Sequence, residues 1–230
     1  ITQNFPPSIG GIQTVMYSIA KDLSSMGNEV FVFPDHRFKE VDSFKVKSII
    51  SPKIFRHYLK KFLLSINGQE ESIIICDTWK SVKAVPKKFK NIVLFAHGQE
   101  FLKLKNKKRI LSSLLRAKLL ITSSKYTYDL IINNWTIPRL NLNVLYPTYH
   151  IKKLLFKKNR FNKITKFISI CRIEKRKGLL QSLISLKKIE LKGHDFVWDI
   201  IGDGPQLDEL KQKCFELNLE KKVFFHGKVK

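Results

Sequence analysis

Cysteines, acidic side chains and long apolar runs are all scarce in this chain of 230 residues. Because it contains no run of about 20 apolar residues, we expect no helix that spans a bilayer. The three cysteines, Cys76, Cys171 and Cys214, are too far apart for a disulfide ladder or a metal-binding pattern, and a reducing cytoplasm fits them. No segment has the pattern of a secretory signal, although a start missing from the sequence would hide one.

Basic residues outnumber acidic ones by 43 to 19, which gives a formal net charge of +24. Such an excess is typical of proteins that bind nucleic acid or an anionic membrane surface. Most of it is Lys, spread among many Ile, Asn and Phe, so a bias toward A/T-rich codons explains it equally well. Arg, which reads base edges, is scarce, and zinc-finger, RNA-recognition and heptad patterns are missing. We therefore do not expect nucleic acid as a partner.

Short apolar strands alternate with amphipathic helices, which predicts an α/β fold. The pattern occupies residues 1–150, stops over residues 151–166, which we interpret as a linker, and restarts in residues 167–230. We expect two Rossmann-like domains facing each other. Three strands in the second leave its sheet edge uncovered, so we predict that this domain is incomplete and the chain a fragment.

The predicted elements follow from apolar periodicity and from glycine, proline and capping residues. The predicted strands are 30–33, 73–76, 92–96, 119–122, 143–146, 167–170, 196–201 and 223–225. The predicted helices are 12–26, 55–64, 105–117, one from Ser123 or Ser124 through Ile132, 177–191 and 205–217. The rest of residues 34–71 is interpreted as irregular.

The segment 171–178 joins an apolar strand to a helix predicted to begin at about Lys177. Free N–H groups and the helix dipole favour an anion at such a junction, and Arg172 and Lys177 add two fixed positive charges. Loss of a nucleotide diphosphate from a sugar builds negative charge on the leaving phosphate, which such cations stabilise. The pattern therefore predicts a transferase with a nucleotide-diphosphate donor. The flanking Lys175 and Arg176 are interpreted as salt-bridged surface cations.

Other candidate site residues also follow strands. Glycine lets the backbone approach a phosphate or sugar, so Gly10-Gly11 and Gly202-Asp203-Gly204-Pro205 are candidates, with a tight turn or helix initiation as the alternative. His97 could bond a sugar hydroxyl or shuttle a proton and Glu100 could hold another hydroxyl, with a structural histidine as the alternative. No metal-ligand spacing, P-loop or Gly-x-Ser-x-Gly elbow occurs, so we expect no tightly bound metal.

Five motifs together resemble the retaining family-4 glycosyltransferases of GT-B fold, the glycosyl transferases group 1. The likeness covers nearly the whole chain and looks closest to bacterial phosphatidylinositol-mannoside-type mannosyltransferases, with lipopolysaccharide-core enzymes nearby. The motifs are Phe5-Pro6-Pro7 with Gly10-Gly11-Ile12-Gln13, His97-Gly98-Gln99-Glu100, Ser169 and Arg172 with Arg176-Lys177-Gly178, Gly202-Asp203-Gly204-Pro205, and Phe225-His226-Gly227-Lys228-Val229.

The resemblance implies that the first domain binds the acceptor and the second the sugar nucleotide. Arg172 and Lys177 then match the diphosphate-binding pair, Gly11 the loop glycine near the donor phosphates, and His97 the histidine beside the transferred sugar. The predicted site residues are the catalytic His97, Arg172 and Lys177; the donor-binding Gly10, Gly11, Arg172, Lys177, Gly202 and Gly204; and Gln13 and Glu100 as acceptor or sugar contacts. No metal and no cofactor beyond the nucleotide sugar are expected.

The expected function is a bacterial, metal-independent hexosyltransferase (EC 2.4) that retains the anomeric configuration. It would move a hexose, with mannose as one candidate, to a lipid or glycan acceptor in lipopolysaccharide or glycolipid synthesis. We expect a cytoplasmic protein, peripheral on the inner face of the plasma membrane, with Lys-rich segments 52–64 and 101–115 on anionic lipids. The family's later paired glutamates lie beyond Lys230, so the fragment is expected to be inactive. The alternative is a non-catalytic remnant or a basic nucleic-acid or anion-binding module.

Overall fold

The computed structural model describes residues 1–38, 43–102, 106–135, 137, 141–147 and 164–229. The chain divides into two compact units, Ile1–His150 (unit 1) and Ile151–Lys230 (unit 2). Every strand pair in the described part of both units is parallel. The predicted α/β fold is therefore confirmed.

Unit 1 begins with the long helix that the apolar spacing predicts and continues as alternating strands and helices. Its strands are β1 (Phe31–Val32), β2 (Lys45–Val46), β3 (Ile74–Cys76), β4 (Ile92–Ala96), β5 (Leu119–Thr122) and β6 (Asn141–Val144). Its helices are α1 (Gly11–Ser25), α2 (Arg56–Asn67), α3 (Gln99–Leu102), α4 (Lys107–Leu114) and α5 (Lys125–Asn134), with a 3-10 turn at Ser81–Ala84.

The strands of unit 1 form a four-stranded sheet, β3-β4-β5-β6, and a two-stranded sheet, β1-β2. Residues 1 and 2 lie between them: the nitrogen of Ile1 donates to the Ile75 carbonyl at 2.6 Å, and the N–H of Thr2 donates to the Phe33 carbonyl at 3.4 Å. Two apolar clusters cover the larger sheet, one containing Leu94 and the other Phe95. Consecutive β4 residues thus point into different cores, because side chains alternate along a strand.

Unit 2 is a smaller three-stranded sheet, in the order β7-β8-β9. One face packs on two helices through fully buried side chains that include Leu183, Trp198 and Leu210. On the other face, Ile168 and Ile170 are exposed by 63% and 72% among the described residues. The elements are β7 (Thr165–Ile170), α6 (Leu179–Glu190), β8 (Phe196–Ile201), α7 (Leu207–Glu216) and β9 (Val223–Gly227), with a 3-10 turn at Lys175–Lys177.

Several predicted boundaries are wrong. The α6 helix begins at Leu179 rather than Lys177, because the 3-10 turn and the left-handed Gly178 (φ 70°) come first. β2 lies in a segment interpreted as irregular; it is two residues long, and its pairing with β1 is not visible locally. β6 ends at Val144 and β7 already begins at Thr165, within the predicted linker. The remainder of that linker up to residue 163 lies outside the described residues.

The helix predicted at 105–117 is shorter, since α4 covers only Lys107–Leu114. The short helix α3, which begins two residues after His97, was not predicted. Of the two candidate caps, Ser124 is correct: its hydroxyl accepts from the N–H of Thr127 at 3.2 Å. Strands 92–96, 119–122 and 196–201 are predicted with their observed bounds.

Candidate functional site

Asp77, which directly follows β3, organises the site region of unit 1. Its carboxylate is fully buried. Oδ2 accepts from the Thr2 hydroxyl (3.0 Å), the N–H of Gln3 (2.9 Å), and the N–H (2.9 Å) and side-chain amide (3.0 Å) of Asn4. Oδ1 accepts from the Ser81 hydroxyl at 2.5 Å. One carboxylate therefore fixes the start of the loop that leads to Gly10.

Sequence reasoning missed Asp77. The available signal was an acidic residue directly after a buried parallel strand, the place where side chains meet at the carboxyl edge of a sheet. Its donors at residues 2–4 are more than 70 positions away, so no local spacing reveals them.

His97 follows β4, and its ring is held by the main chain of Asp77. Nε2 lies 2.7 Å from the Asp77 carbonyl oxygen. Because a carbonyl only accepts, Nε2 carries the proton, and Nδ1 is left as an acceptor in the neutral ring. No partner for Nδ1 occurs among the residues that the structure describes. The half-buried imidazole is thus fixed in orientation, with one nitrogen available.

Gly98 and Glu100 shape the turn after His97. Gly98 has a left-handed backbone (φ 100°), and an added Cβ would lie 2.8 Å from Oγ1 of Thr127. The carboxylate of Glu100 accepts from the backbone N–H of His97 at 3.0 Å. Glu100 therefore has a structural task at the start of α3, and its contact with a sugar stays a prediction.

Gly10 and Gly11 precede and begin α1. The backbone of Gly10 is extended, and an added Cβ would come within 2.5 Å of the Gln13 amide oxygen. At the exposed Gly11 an added Cβ would meet nothing within 4 Å. The end of the Gln13 side chain can move away from an added Cβ, so this contact does not require glycine at position 10, and the space in front of Gly11, at the amino end of a 15-residue helix, is open.

In unit 2, Gly202 and Gly204 press the β8–α7 turn onto the segment after β7. A Cβ added at Gly202 would overlap the carbonyl oxygen of Cys171, and one at Gly204 that of Ile173. Hydrogen bonds join the same segments, from the Ile173 N–H to the Asp203 carbonyl (2.9 Å) and from the Gln206 N–H to the Ile173 carbonyl (3.2 Å). Contact within the chain is therefore sufficient to require both glycines, and their contact with a donor stays a prediction.

Arg172 lies between two anchored neighbours. The N–H of Cys171 donates to the Ile201 carbonyl at 3.0 Å, and the N–H of Ile173 donates to the Asp203 carbonyl at 2.9 Å. The guanidinium of Arg172 is exposed, with neither an ion pair nor a hydrogen bond to any residue in the described part of the chain. The backbone at this position is thus fixed while the charge remains available.

Lys177 is the second exposed cation of this connection. Its N–H donates to the Glu174 carbonyl at 2.8 Å, and its ammonium has no partner within the described ranges. Arg176, by contrast, pairs with Glu174 at 2.5 Å, as interpreted from sequence. The helix α6 follows at once and has no side-chain cap, so its first N–H groups add a partial positive charge to the same connection.

The three thiols differ in their surroundings. Cys76 and Cys214 are buried, and desolvation raises the pKa of each to about 11. Cys171, beside Arg172, is half-buried. Within the described ranges, no three His, Cys, Asp or Glu side chains are placed to hold a metal ion.

Comparison with known proteins gives a family match for part of the chain. The family model for glycosyl transferases group 1 matches residues 151–230, which contain Arg172 and Lys177. A comparison with curated protein sequences gave no match.

Solved structures resemble the chain along its whole length. The lipopolysaccharide outer core galactosyltransferase WaaB is 18% identical, with a TM-score of 0.64 over 99% of this chain and 67% of its own. WaaG, a glycosyltransferase involved in lipopolysaccharide biosynthesis, is 13% identical, with a TM-score of 0.71 over 99% and 69%. Anabaena HepE, in complex with UDP and glucose, is 16% identical, with a TM-score of 0.65 over 100% and 69%.

This chain has their fold. At such identities the likeness concerns the fold alone, and the residues that act on a substrate have to be argued from this chain. No helix in the described ranges is long and apolar enough to cross a membrane.

Proposed function

We propose that the protein is a glycosyltransferase (EC 2.4) that moves a hexose from a nucleotide-diphosphate sugar to a lipid or glycan acceptor in bacterial cell-envelope synthesis. The observation that carries this proposal is the β7–α6 connection, where Arg172 and Lys177 are exposed on a fixed backbone and have no partner among the described residues. That connection lies in the part of the chain that the family model matches.

The chemistry asked of these cations is stabilisation of a leaving diphosphate. As the sugar–phosphate bond breaks, negative charge grows on the phosphate oxygens, and a guanidinium and an ammonium bind that state more strongly than the ground state. The uncapped amino end of α6 adds a partial charge of the same sign. These groups supply what a metal ion supplies elsewhere, so the proposal needs no metal. Retention of the anomeric configuration rests on the family resemblance.

His97 is proposed to act on the transferred sugar. The bond from Nε2 to the Asp77 carbonyl fixes the ring, which leaves Nδ1 to accept from a sugar hydroxyl. In the same proposal Gly11 gives the donor phosphates access to the α1 amino end, with Gly10 beside it. Gln13 and Glu100 contact the sugar or the acceptor, and the turn containing Gly202 and Gly204 contacts the donor.

Attachment to the inner face of the plasma membrane is proposed from helix α2. Its exposed side chains include Tyr58, Phe62 and Ile66, and the exposed Phe55 directly precedes the helix. These positions are spaced by three or four residues, so they form one apolar stripe on the surface. Exposed lysines, such as Lys61, lie beside the stripe. A basic helix with an apolar face is typical of proteins that lie in the membrane interface. Phe62→Ser should reduce flotation with anionic vesicles at low salt, and equal flotation would contradict attachment through α2.

Calorimetry with UDP, GDP and ADP tests the donor site. Arg172→Ala should weaken nucleotide binding by about 1.5–3 kcal/mol, the cost of one charge-assisted phosphate contact. Arg176→Ala is the matched control, because it removes the same charge from the same connection but from a side chain paired with Glu174. Equal losses in the two variants would contradict the specific role of Arg172.

A gel shift with nucleic acid at several salt concentrations, combined with the calorimetry, separates the alternative function. A non-catalytic remnant or basic binding module would bind nucleic acid in a salt-dependent manner, as the net charge of +24 favours, and would not bind sugar nucleotides.

A further inference from the structure

A cavity of about 460 Å³ lies in unit 1, between the start of α2, the 3-10 turn after β3 and the start of α4. This volume is within the range of small-molecule sites, about 300–1,000 Å³. Six cationic side chains line it: Lys53, Arg56, Lys60, Lys80, Lys83 and Arg109. Asp35 is the one carboxylate among the described residues of its lining.

The carboxylate of Asp35 already has two cationic partners in the lining. Asp35 pairs with the Lys60 ammonium and lies 3.6 Å from the Arg56 guanidinium. The other four cations have no acidic partner among the residues that the structure describes. Like charges around one cavity repel each other, and a bound anion removes that repulsion. The charge balance of the lining, six cations against one acid, therefore favours a ligand with more than one negative charge.

One of the cations that line the cavity, Lys60, is buried and held in place by other groups of unit 1. Lys60 is 2% exposed, and its Nζ donates to the Thr2 carbonyl at 2.7 Å. Burial lowers the pKa of Lys60, while the pairing with Asp35 acts in the opposite direction. A buried ammonium costs free energy unless it is paired and hydrogen-bonded, so its presence here fixes a charged, rigid floor.

An aromatic ring and polar groups accompany the cations. The ammonium groups of Lys80 and Lys83 each lie 5.7 Å from the centroid of the Trp79 ring, which also lines the cavity. Gln3 and Asn106 supply amide groups to the lining. Such a mixture suits a ligand that carries hydroxyl groups as well as phosphate.

The cavity is connected to His97 through Asp77. The Asp77 carboxylate holds the N–H of Gln3 and the hydroxyl of Ser81, both of which line the cavity, and the Asp77 carbonyl holds Nε2 of His97. Asp77 and His97 follow the neighbouring parallel strands β3 and β4, so both lie at one edge of the sheet. A ligand in the cavity would therefore occupy the same edge as the histidine proposed to contact the sugar.

We propose that this cavity binds a phosphate monoester, as part of the acceptor. A phosphate monoester carries about two negative charges at neutral pH and accepts several hydrogen bonds. This matches a lining in which four cations have no acidic partner among the described residues. The phosphate belongs either to a soluble sugar phosphate or to a lipid headgroup. Its role as acceptor rests on the proposed function, whereas the phosphate site itself does not.

The test compares two double variants of the whole chain that lose the same charge. Lys80→Gln with Arg109→Gln removes two cations of the cavity. Lys87→Gln with Lys108→Gln removes two exposed cations from neighbouring positions that do not line it. Binding of glucose 6-phosphate, glucose and UDP is measured by calorimetry. Flotation with phosphatidylcholine vesicles is measured with and without phosphatidic acid.

We expect the cavity variant to lose at least about tenfold in affinity for the phosphate-bearing probe, and the control to lose less than about twofold. If glucose 6-phosphate binds and only the cavity variant loses that binding, the site takes a soluble phosphate. If only the vesicles with phosphatidic acid bind, and only the cavity variant loses that binding, the site takes a lipid headgroup. Equal losses in both variants, equal binding of glucose, or no binding of any phosphate probe overturns the proposal. A single-stranded oligonucleotide that binds with the same pattern and excludes the phosphate probes also overturns it.

UDP separates this proposal from the donor site. The cavity variant should bind UDP like the wild type, because Arg172 and Lys177 are untouched. Loss of phosphate-monoester binding with normal UDP binding supports the cavity independently of the donor site. Failure of UDP binding in the wild type would contradict the proposed function while leaving the phosphate-monoester site standing.

Discussion

The two regions proposed to act on substrate are built in opposite ways. Around Asp77 and His97 in unit 1, polar groups are buried or half-buried, and hydrogen bonds within the unit hold them in place. Around Arg172 and Lys177 in unit 2, the backbone is fixed by close packing against the turn containing Gly202, and the charged side chains are exposed and unpaired among the described residues. A side chain in the first region should therefore matter to stability, and a cation in the second to binding alone.

Gly202→Ala should have the largest effect on stability, because it disrupts the backbone contact between Gly202 and Cys171 that fixes the second region. The new Cβ would overlap the Cys171 carbonyl oxygen, and the backbone at 202 has a positive φ of 144°. We expect a loss of about 4 kcal/mol or more in the free energy of unfolding, measured with urea.

Gly193→Ala is the control for that substitution. Gly193 also has a positive φ (84°), but an added Cβ would meet nothing within 4 Å. It should lose about 1–2 kcal/mol, the cost of the backbone conformation alone. Similar losses in the two variants would show that contact with Cys171 is unimportant.

Asp77→Ala should cost about 3 kcal/mol of unfolding free energy. It leaves the N–H of Gln3 and the side-chain amide of Asn4 without their acceptor, and each unsatisfied group away from water costs about 1–3 kcal/mol. Asp129→Ala in the same unit is the control, since its ion pair with Lys125 is exposed and should contribute little to stability. If the two variants unfold at the same urea concentration, Asp77 does not organise unit 1.

Arg172→Ala, in the second region, should affect nucleotide binding and leave stability almost unchanged. Because the guanidinium is exposed and unpaired in the described structure, its removal should change the unfolding free energy by less than about 0.5 kcal/mol. The same variant should lose about 1.5–3 kcal/mol of nucleotide-binding free energy. A marked fall in its melting temperature would mean that Arg172 has a structural contact within the chain.

The smallest effect is a pH dependence that comes from Lys60. Burial lowers the pKa of Lys60 in the folded chain, so between that value and the ordinary pKa near 10.5 the unfolded chain binds the extra proton. Stability contributed by this group therefore rises with pH through that window. The difference in unfolding free energy between wild type and Lys60→Met should rise with pH, by at most about 1.4 kcal/mol per pH unit.

Titrating thiols do not disturb that comparison. Cys214, whose pKa burial raises to about 11, is present in both proteins and cancels in the difference. The charge of Lys60 acts on the Cys76 thiol, whose pKa is also about 11, so the comparison is made below about pH 10, where that thiol stays protonated in the folded chain. A difference that falls as pH rises would show that the ion pair with Asp35 outweighs burial.

Sequence reasoning succeeded where the signal is local. Strands 92–96 and 196–201 are continuous apolar or alternating runs between turn residues, so their bounds could be predicted. The same holds for the placement of Arg172 and Lys177 between a strand and a helix. These features depend on neighbours a few residues away.

The remainder depends on contacts between distant residues. The residues next to Asp77 in the sequence do not indicate that residues 2–4 donate hydrogen bonds to it. Those next to Gly202 do not indicate that the Cys171 carbonyl packs against it. The cavity of unit 1 draws its cations from residues 53–109, and in the sequence they are hidden by the many other lysines. Binary patterns of apolar and polar residues contain no such information.

Helix α2 reverses the usual relation between residue type and depth. Lys60 is buried beside Leu64, whereas Tyr58, Phe62 and Ile66 are each more than 60% exposed. For anyone preparing the protein, this changes which positions are safe to edit. Polar replacements at the three outer side chains should improve solubility in concentrated solution and leave the fold intact, while routine replacement of a lysine by alanine at position 60 would remove part of the interior.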